Sequence, residues 1–345
     1  MANVVMREKV VIVGGGVAGL TTALLLRRAN ELRVTGGSGS LTLFSNAWIA
    51  LEALGVAHKL TSVYKPFKRG QVTNVSTGVT QEVLLTTDEG YLQLVPRSVN
   101  RRALLEALLE ELPADTIRYS SRLRSIEKTE TRNDADSFGV IIHLEDGTTI
   151  HTKGVMVVRS VVAKWLRHKA PVYSGRYAVR GLGVFPEGHG LKHEVQQFVA
   201  EEVIQHAYMP SSSWGPPQFT KPWDLLFGND AMHPMTPDLG QGGCSALEDA
   251  VVLGRHMGNS YIRNGGTLSQ EDLEVEIGMY VKERRFRTAG LITGSYISGW
   301  IQQGDSGAGI ISSLRVVGWL TKFLRDSVFY RFSFCGLVGL TSSGN

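Results

Sequence analysis

Two stretches carry the residues whose types and spacing could do chemistry. The first is Val10-Val11-Ile12-Val13-Gly14-Gly15-Gly16-Val17-Ala18-Gly19-Leu20, running on through Ala23, Leu24 and Leu25. Gly14, Gly16 and Gly19 fill the G-x-G-x-x-G positions, with a β-branched run before them and an apolar helical pattern after. In such a turn the first glycine permits a sharp reversal, the second admits a pyrophosphate against the backbone, and the third lets the helix pack on its strand. The helix start adds unpaired N–H groups and the positive end of the helix dipole. The second stretch is Asp230-Ala231-Met232-His233-Pro234-Met235-Thr236-Pro237-Asp238-Leu239-Gly240-Gln241-Gly242-Gly243. It follows the short apolar run Leu225-Leu226-Phe227 and opens a helix through Ala246, Leu247, Ala250, Val251 and Leu253. This second helix start can face an electron-rich group, and the Asp230 carboxylate can accept from a sugar hydroxyl.

Strands and helices must bring these turns together. The first helix is expected from Leu20 to about Asn30, and a dinucleotide fold then calls for a strand ending in an acid that binds a ribose hydroxyl. Only Leu32 to Thr35 can form that strand, and no acid lies between Leu32 and Leu51. Leu41 to Ser45 leads into a helix with Ala47, Trp48, Ala50, Leu51 and Leu54 at helical spacing, closed by Gly55. Strands are expected at Gln71–Val75, Val83–Leu85 and Tyr91–Val95, with a turn at Thr77-Gly78. Asn100 is placed to cap a helix whose apolar face is Leu104, Leu105, Leu108, Leu109 and Leu112, ended by Pro113. Arg101 and Arg102 open that helix, either solvated or reaching a phosphate or ribose. Asp146-Gly147 between Phe138–Leu144 and Thr148–His151 predicts a hairpin. Val155–Val158 reads as a separate buried strand that enters a helix at Ser160–Leu166 without a loop. The pattern from Tyr173 to Val199 is loosely strand-like, and Ser211–Pro217 reads as a linker.

Helices are expected beyond Tyr280. The basic run Lys282, Arg284, Arg285 and Arg287 predicts a solvated face. Val316, Leu320, Phe323, Leu324 and Val328 mark a last helix, for which docking on its own domain is favoured over a membrane surface.

Composition narrows the classes further. The chain has 345 residues, enough for one large or two ordinary domains, and its 43% hydrophobic and 20% charged content is that of a globular protein. A net charge of +4 with scattered basic residues argues against nucleic acid and suits anionic cofactors and substrates. Two cysteines give neither a disulfide framework nor metal-ligand spacing, as in a reducing compartment. The first strand begins at Lys9, which leaves no room for a leader, and no apolar run reaches membrane-spanning length, so the expected location is cytoplasmic. Two decoys are set aside. Gly304-Asp305-Ser306-Gly307 copies a serine-protease string outside any all-β context, and His189 and His193 lack the H-E-x-x-H pattern of a zinc site.

Val11 to Leu25 and Asp230 to Gly243 together resemble the first and last FAD motifs of the aromatic-hydroxylase type of flavoprotein monooxygenase, which includes salicylate and para-hydroxybenzoate hydroxylases and zeaxanthin epoxidase. The plant members are the nearest in pattern. Leu41-Thr42-Leu43-Phe44-Ser45-Asn46-Ala47-Trp48, Asn100 to Leu105, Ser160 to Leu166 and Glu283-Arg284-Arg285-Phe286-Arg287 are similar to theirs as well. The resemblance implies an α/β fold: a Rossmann-like FAD-binding domain, a reduced substrate-side β-sheet and a helical C-terminal region. The implied division gives residues 1–66, 99–170 and 223–345 to the FAD-binding part and the C-terminal helices. Residues 67–98 then supply substrate-side strands, and 171–222 form a shortened substrate domain. Carried over by position, Gly14, Gly16 and Gly19 face the FAD pyrophosphate, Arg101 opens a helix near the cofactor, and Asp230 contacts the ribityl or ribose region. Gly240, Gln241 and Gly242 lie beside the flavin ring, with His233 and Pro234 lining the same loop. The implied activity uses NAD(P)H and O2 to hydroxylate or epoxidise a small apolar or aromatic substrate, with the hard chemistry carried by the flavin.

The chain departs from that pattern where whole segments would fall. The acid after the first helix is missing, Val158-Arg159-Ser160 leaves no room for the family's Asp-Gly pair, and the stretch from Val199 to Asp224 is short. Asn229 also stands where the family has a glycine before the aspartate. The expected consequence is a marginal fold or weakly held flavin. A non-catalytic flavin-fold binding protein is the alternative reading; a plain NAD(P) dehydrogenase would leave the Asp230–Gly243 stretch unexplained.

Overall fold

In the computed structural model of the chain, the described residues are 5–26, 40–67, 69–74, 77–84, 96–113, 116–129, 139–157, 172–177, 195–199, 208–211, 225–227, 235 and 239–302. The element order is β1 (Val5–Val13), α1 (Val17–Leu26), β2 (Ser40–Leu43), α2 (Ser45–Ala53), α3 (Ala57–Thr61), β3 (Arg69–Asn74), β4 (Thr80–Leu84), β5 (Arg97–Asn100), α4 (Arg101–Leu109), β6 (Leu123–Lys128), β7 (Val140–Leu144), β8 (Thr149–Val157), β9 (Val172–Tyr177), β10 (Val195–Val199), β11 (Tyr208–Ser211), β12 (Leu225–Phe227), α5 (Gly242–Arg263) and α6 (Gln270–Gln302).

The main sheet is built on β8. Its whole length runs parallel to β1, from Val5 opposite Thr149 to Val13 opposite Val157. Its other edge is shared: β7 pairs antiparallel with residues 149–152, and β12 pairs parallel with Val155, Met156 and Val157. β6 extends the sheet beyond β7. The two strands expected at Thr148–His151 and Val155–Val158 are therefore one strand. β1 holds the nine residues in line along one edge, while two short partners divide the other.

The hairpin between β7 and β8 turns where Asp146-Gly147 predicted. Gly147 has φ +88°, the left-handed region that favours glycine, and the Asp146 Oδ1 accepts from the Thr148 N–H at 2.9 Å. β2 pairs antiparallel with β5, apart from the main sheet, and β10, β3 and β4 form a third sheet. Among the described residues β1 has β8 as its one sheet neighbour. The expected short strand Leu32–Thr35 lies outside the described residues, as do Tyr91–Val95, Ser160–Leu166, His189, His193, Gly304–Gly307 and the segment from Val316 to Val328.

Alternation along β1 feeds two cores, because successive strand residues face opposite sides. Val11 packs with Ile126, Val140, Ile142, Ile150 and Val155, whereas Ile12 belongs to the larger core of α1, α2, α4 and α5. That core contains Leu20, Trp48, Leu51, Leu104, Leu108 and Leu247, all fully buried. The Asn100 side chain caps α4 by accepting from the Arg102 N–H at 2.8 Å. α2 ends at the expected glycine. Gly55 has φ +74°, its N–H reaches the Glu52 carbonyl at 2.9 Å, and the Val56 N–H reaches the Leu51 carbonyl at 2.9 Å, so these two carbonyls of the last turn are satisfied. α1 and α5 cross closely at Gly254, where an added Cβ would stand 2.7 Å from the Leu25 Cβ. No helix among the described residues is long and apolar enough to cross a membrane.

Candidate cofactor site

The first glycine turn leaves β1 at Val13. Gly14 has φ +122°, a backbone state that side chains with a Cβ rarely adopt. Gly16 has the opposite character. Its φ is not positive, and a Cβ built on it would meet nothing within 4 Å. The space over the backbone is open at the position where a pyrophosphate is expected to approach. The Leu20 N–H donates to the Gly16 carbonyl at 3.0 Å, so the helical ladder starts at Gly16 itself and the N–H groups just after it have no intrahelical acceptor. The first turn of α1 carries no acidic side chain that would repel an anion. Gly19 lies buried inside α1, as the packing role of the third glycine requires.

The second turn is clamped by β2 and the start of α2. Gly240 has φ +62° and is exposed, and a Cβ on it would stand 3.2 Å from the Phe44 ring. Phe44 precedes α2, and its N–H donates to the Cys244 Sγ at 3.5 Å, while the Cys244 thiol donates to the Thr42 carbonyl at 3.7 Å. Burial pushes the Cys244 thiol up to about 12, so it stays protonated. Gln241 is the N-cap residue of α5, but its side chain does not cap; its Oε1 accepts from the Asn46 Nδ2 at 3.0 Å. Gly242 and Gly243 form the first turn, again without an acidic side chain. The Leu41-to-Trp48 patch thus acts locally as the brace of the Gly240 loop.

Behind this loop lies a buried ionic cluster that the basic-run reading missed. Arg284 is 2% exposed, which corrects its assignment to a solvated face. Its Nη1 lies 2.6 Å from Glu248 and its Nε donates to Asp249 at 2.6 Å, and its Nη2 reaches the Ser245 hydroxyl at 3.2 Å. Arg287, whose side chain is 10% exposed, gives its Nε to the same Glu248 carboxylate. Arg285 of the run is exposed as expected, and Lys282 is exposed too. The physical reason lies on the other helix. The acidic pair Glu248 and Asp249 sits on the buried side of α5 and needs cations to remain ionised. That acid pair inside an apolar helical pattern was the signal available in the sequence.

Burial pushes the Glu248 carboxyl up, but Arg284 and Arg287 outweigh it and hold the pKa below its ordinary value of 4.5. Burial likewise opposes the Arg284 charge, and Asp249 and Glu248 more than offset it. A depressed carboxylate stabilises the fold above its unfolded value and loses that contribution as pH falls through the folded one. Stability is therefore expected to drop below pH 4.5. A Glu248→Gln variant is expected to start less stable at neutral pH and to show a shallower acid slope in urea titrations at stepped pH. An equal slope in both proteins would show that Glu248 is not the titrating group.

The remaining predicted residues divide. Arg101 opens α4, partly buried, on a helix that packs against α1. Arg102 is exposed and pairs with Glu106 at 2.7 Å. Asp230, His233 and Pro234 lie outside the described residues. Gly240, Gln241 and Gly242 stand together at the start of α5. Sequence reasoning missed Asn46, Glu248 and Arg97. The Arg97 guanidinium stacks 5.3 Å from the Trp48 ring centre and donates to the Tyr64 carbonyl at 2.9 Å, tying β5 to α2.

No family model matches the chain. Among curated proteins it is 33% identical to "Monooxygenase 2" of Arabidopsis thaliana, over 85% of this chain and 89% of the relative. It is 28% identical to "Monooxygenase 1" of the same plant, over 95% of this chain and 98% of the relative. The first match extends over 376 positions, more than the 345 residues of the chain, though it takes up 85% of them. The relative therefore carries residues inside the matched region that this chain lacks, as the departures noted above lead one to expect. Solved structures share the fold. HpxO of Klebsiella pneumoniae, complexed with FAD and uric acid, superposes with a TM-score of 0.68 at 17% identity, over 93% of this chain and 97% of that one. PqsL of P. aeruginosa, in complex with 2-aminobenzoylacetate, superposes with a TM-score of 0.67 at 13% identity, over 90% and 99%.

Proposed function

The chain belongs to the FAD-dependent monooxygenases, and on that premise we propose that it holds FAD between the Gly14–Gly19 turn and the Gly240–Gly242 loop. With NAD(P)H as reductant and O2, it oxygenates a small apolar or aromatic substrate. The observation that carries the reading is the open space over Gly16 at the start of α1, where a phosphate can reach backbone N–H groups that have no acceptor in the helix. When bound, FAD supplies the oxygen-transfer chemistry. The protein's own part is to bind and orient it: Gly14, Gly16 and Gly19 take the pyrophosphate, Arg101 stands near the cofactor, Asp230 takes the ribityl or ribose hydroxyls, and Gly240, Gln241 and Gly242 flank the flavin ring. The separate sheet of β10, β3 and β4 supplies the substrate side. This division keeps residues 1–66, 99–170 and 223–345 for the cofactor and the C-terminal helices, and leaves 67–98 and 171–222 for the substrate.

The test is to purify the chain, add FAD, dilute, and record the visible spectrum, then follow oxidation of NADH and of NADPH with a panel of aromatic acids and phenols. A stoichiometric flavin band and substrate-dependent oxidation of one nicotinamide are expected. A flavin band without any substrate-dependent oxidation would remove the monooxygenase reading and leave a binding protein. No flavin uptake at saturating FAD would remove both.

A further inference from the structure

From Val275 to Ile297 the exposed face of α6 is apolar where a surface helix is ordinarily polar. Val275, Met279, Phe286, Tyr296 and Ile297 all stand exposed, Phe286 by 73% and Val275 by 62%. Their spacing follows the helical repeat, so they line one side of α6 over about 33 Å. Exposed apolar side chains aligned in this way mark a contact surface rather than scattered surface residues. Lys282 and Arg285 bring the charge to this exposed row, and the Arg285 guanidinium lies 4.4 Å from the centre of the Phe286 ring. The two acids of the stretch are turned to the other side. Glu276 meets Arg263 at 2.5 Å and His256 at 3.3 Å, and Glu283 meets Arg255 at 2.5 Å and His256 at 3.0 Å, all on α5. The outward face is therefore apolar and basic, with its acids spent on the neighbouring helix.

We propose that this face docks on the surface of an anionic lipid membrane, with α6 lying along the plane of the interface. Charge decides between the occupants. A second copy of the chain, paired either in parallel register or antiparallel about Phe286, sets Lys282 and Arg285 of both copies against one another. An anionic lipid surface attracts the same two cations, and the net charge of +4 adds to the attraction. Met279 and Phe286 then enter the boundary between headgroups and acyl chains, while Lys282 lays its stem beside them and keeps its ammonium among the headgroups. Tyr296 suits the same boundary, with an apolar ring and a polar tip. The contact is superficial, because α6 is not apolar enough to cross a membrane. None of these side chains is assigned to the cofactor, so the inference stands or falls apart from the FAD reading.

The test is cosedimentation of the full chain with vesicles of phosphatidylcholine alone and of phosphatidylcholine with roughly one-third phosphatidylserine, at low and at high salt. Thermal unfolding without lipid and sedimentation velocity are measured beside it. Binding to the anionic vesicles at low salt, falling as salt rises, is expected. Phe286→Ser is expected to weaken that binding about tenfold, and Lys282→Gln combined with Arg285→Gln about thirtyfold. Unfolding temperatures are expected to stay at the wild-type value, because all three side chains are exposed. A wild-type chain that binds neither vesicle overturns the inference. Binding that neither variant weakens overturns it too, since another surface then holds the lipid. A wild-type dimer that Phe286→Ser makes monomeric assigns the face to a second copy instead. A marked fall in the unfolding temperature of Phe286→Ser shows that protein already covers the ring, and rejects the lipid contact as well.

Discussion

Replacing Arg284 by methionine is expected to lower folding stability by about 3–5 kcal/mol, read as a fall in the urea midpoint. The side chain joins α6 to α5 through Glu248 and Asp249, and both carboxylates are buried. Removing the cation takes the guanidinium from the buried Asp249 carboxylate and leaves Glu248 with Arg287, which costs far more than the pair gained by forming. Arg287→Met provides the contrast. That guanidinium bonds Glu248 through Nε, but its two terminal nitrogens are buried without hydrogen-bond partners among the described residues, so deleting it also removes an existing penalty. A smaller loss is expected, with a clear gap between the two variants. Equal losses would mean that the cluster is a count of charges rather than a specific arrangement. A third variant removes the cluster whole. Exchanging Glu248, Asp249, Arg284 and Arg287 together for apolar residues of similar volume is expected to recover most of the stability, because the buried acids and both their cations leave together.

Gly16→Val is expected to leave the apoprotein near wild-type stability while weakening FAD by at least about tenfold. The φ there is not positive and an added Cβ would meet nothing within 4 Å, so the fold has no objection to the first atom of a side chain. The ligand does, because the same space is where the pyrophosphate comes against the backbone. Gly14 differs, since its φ of +122° makes any Cβ a strain on the turn itself. Gly14→Ala is therefore expected to lose stability and FAD together, whereas Gly16→Val separates the two. Titration of each apoprotein with FAD, alongside thermal unfolding without it, reads both quantities. Unchanged FAD affinity in Gly16→Val would place the cofactor elsewhere and would remove the main support for the proposed site.

What the sequence determined by itself are features governed by a few adjacent residues. The strand–glycine–helix order at Val10–Leu25, the Asn100 cap, the Gly55 helix end and the Asp146-Gly147 turn all appear where residue chemistry placed them. Each depends on a local dihedral or a hydrogen bond spanning a few positions, so the information lies within reach of the residue that needs it. The family was legible for a related reason: both glycine turns are local motifs, and it was their joint presence that identified one cofactor.

Only the tertiary structure decided the rest. Asn46 meets Gln241 across 195 positions, and Arg284 meets Asp249 across 35, and nothing in the neighbourhood of any of these residues names its partner. The basic run on α6 has the composition of a solvated face, and Arg284 is nevertheless buried because α5 brings two carboxylates to it. β8 is one strand rather than two because its neighbours arrive from residues 5–13, 140–144 and 225–227. Charge burial and sheet pairing are set by whichever segment lies alongside, and that proximity comes from packing the whole chain, not from any stretch of it.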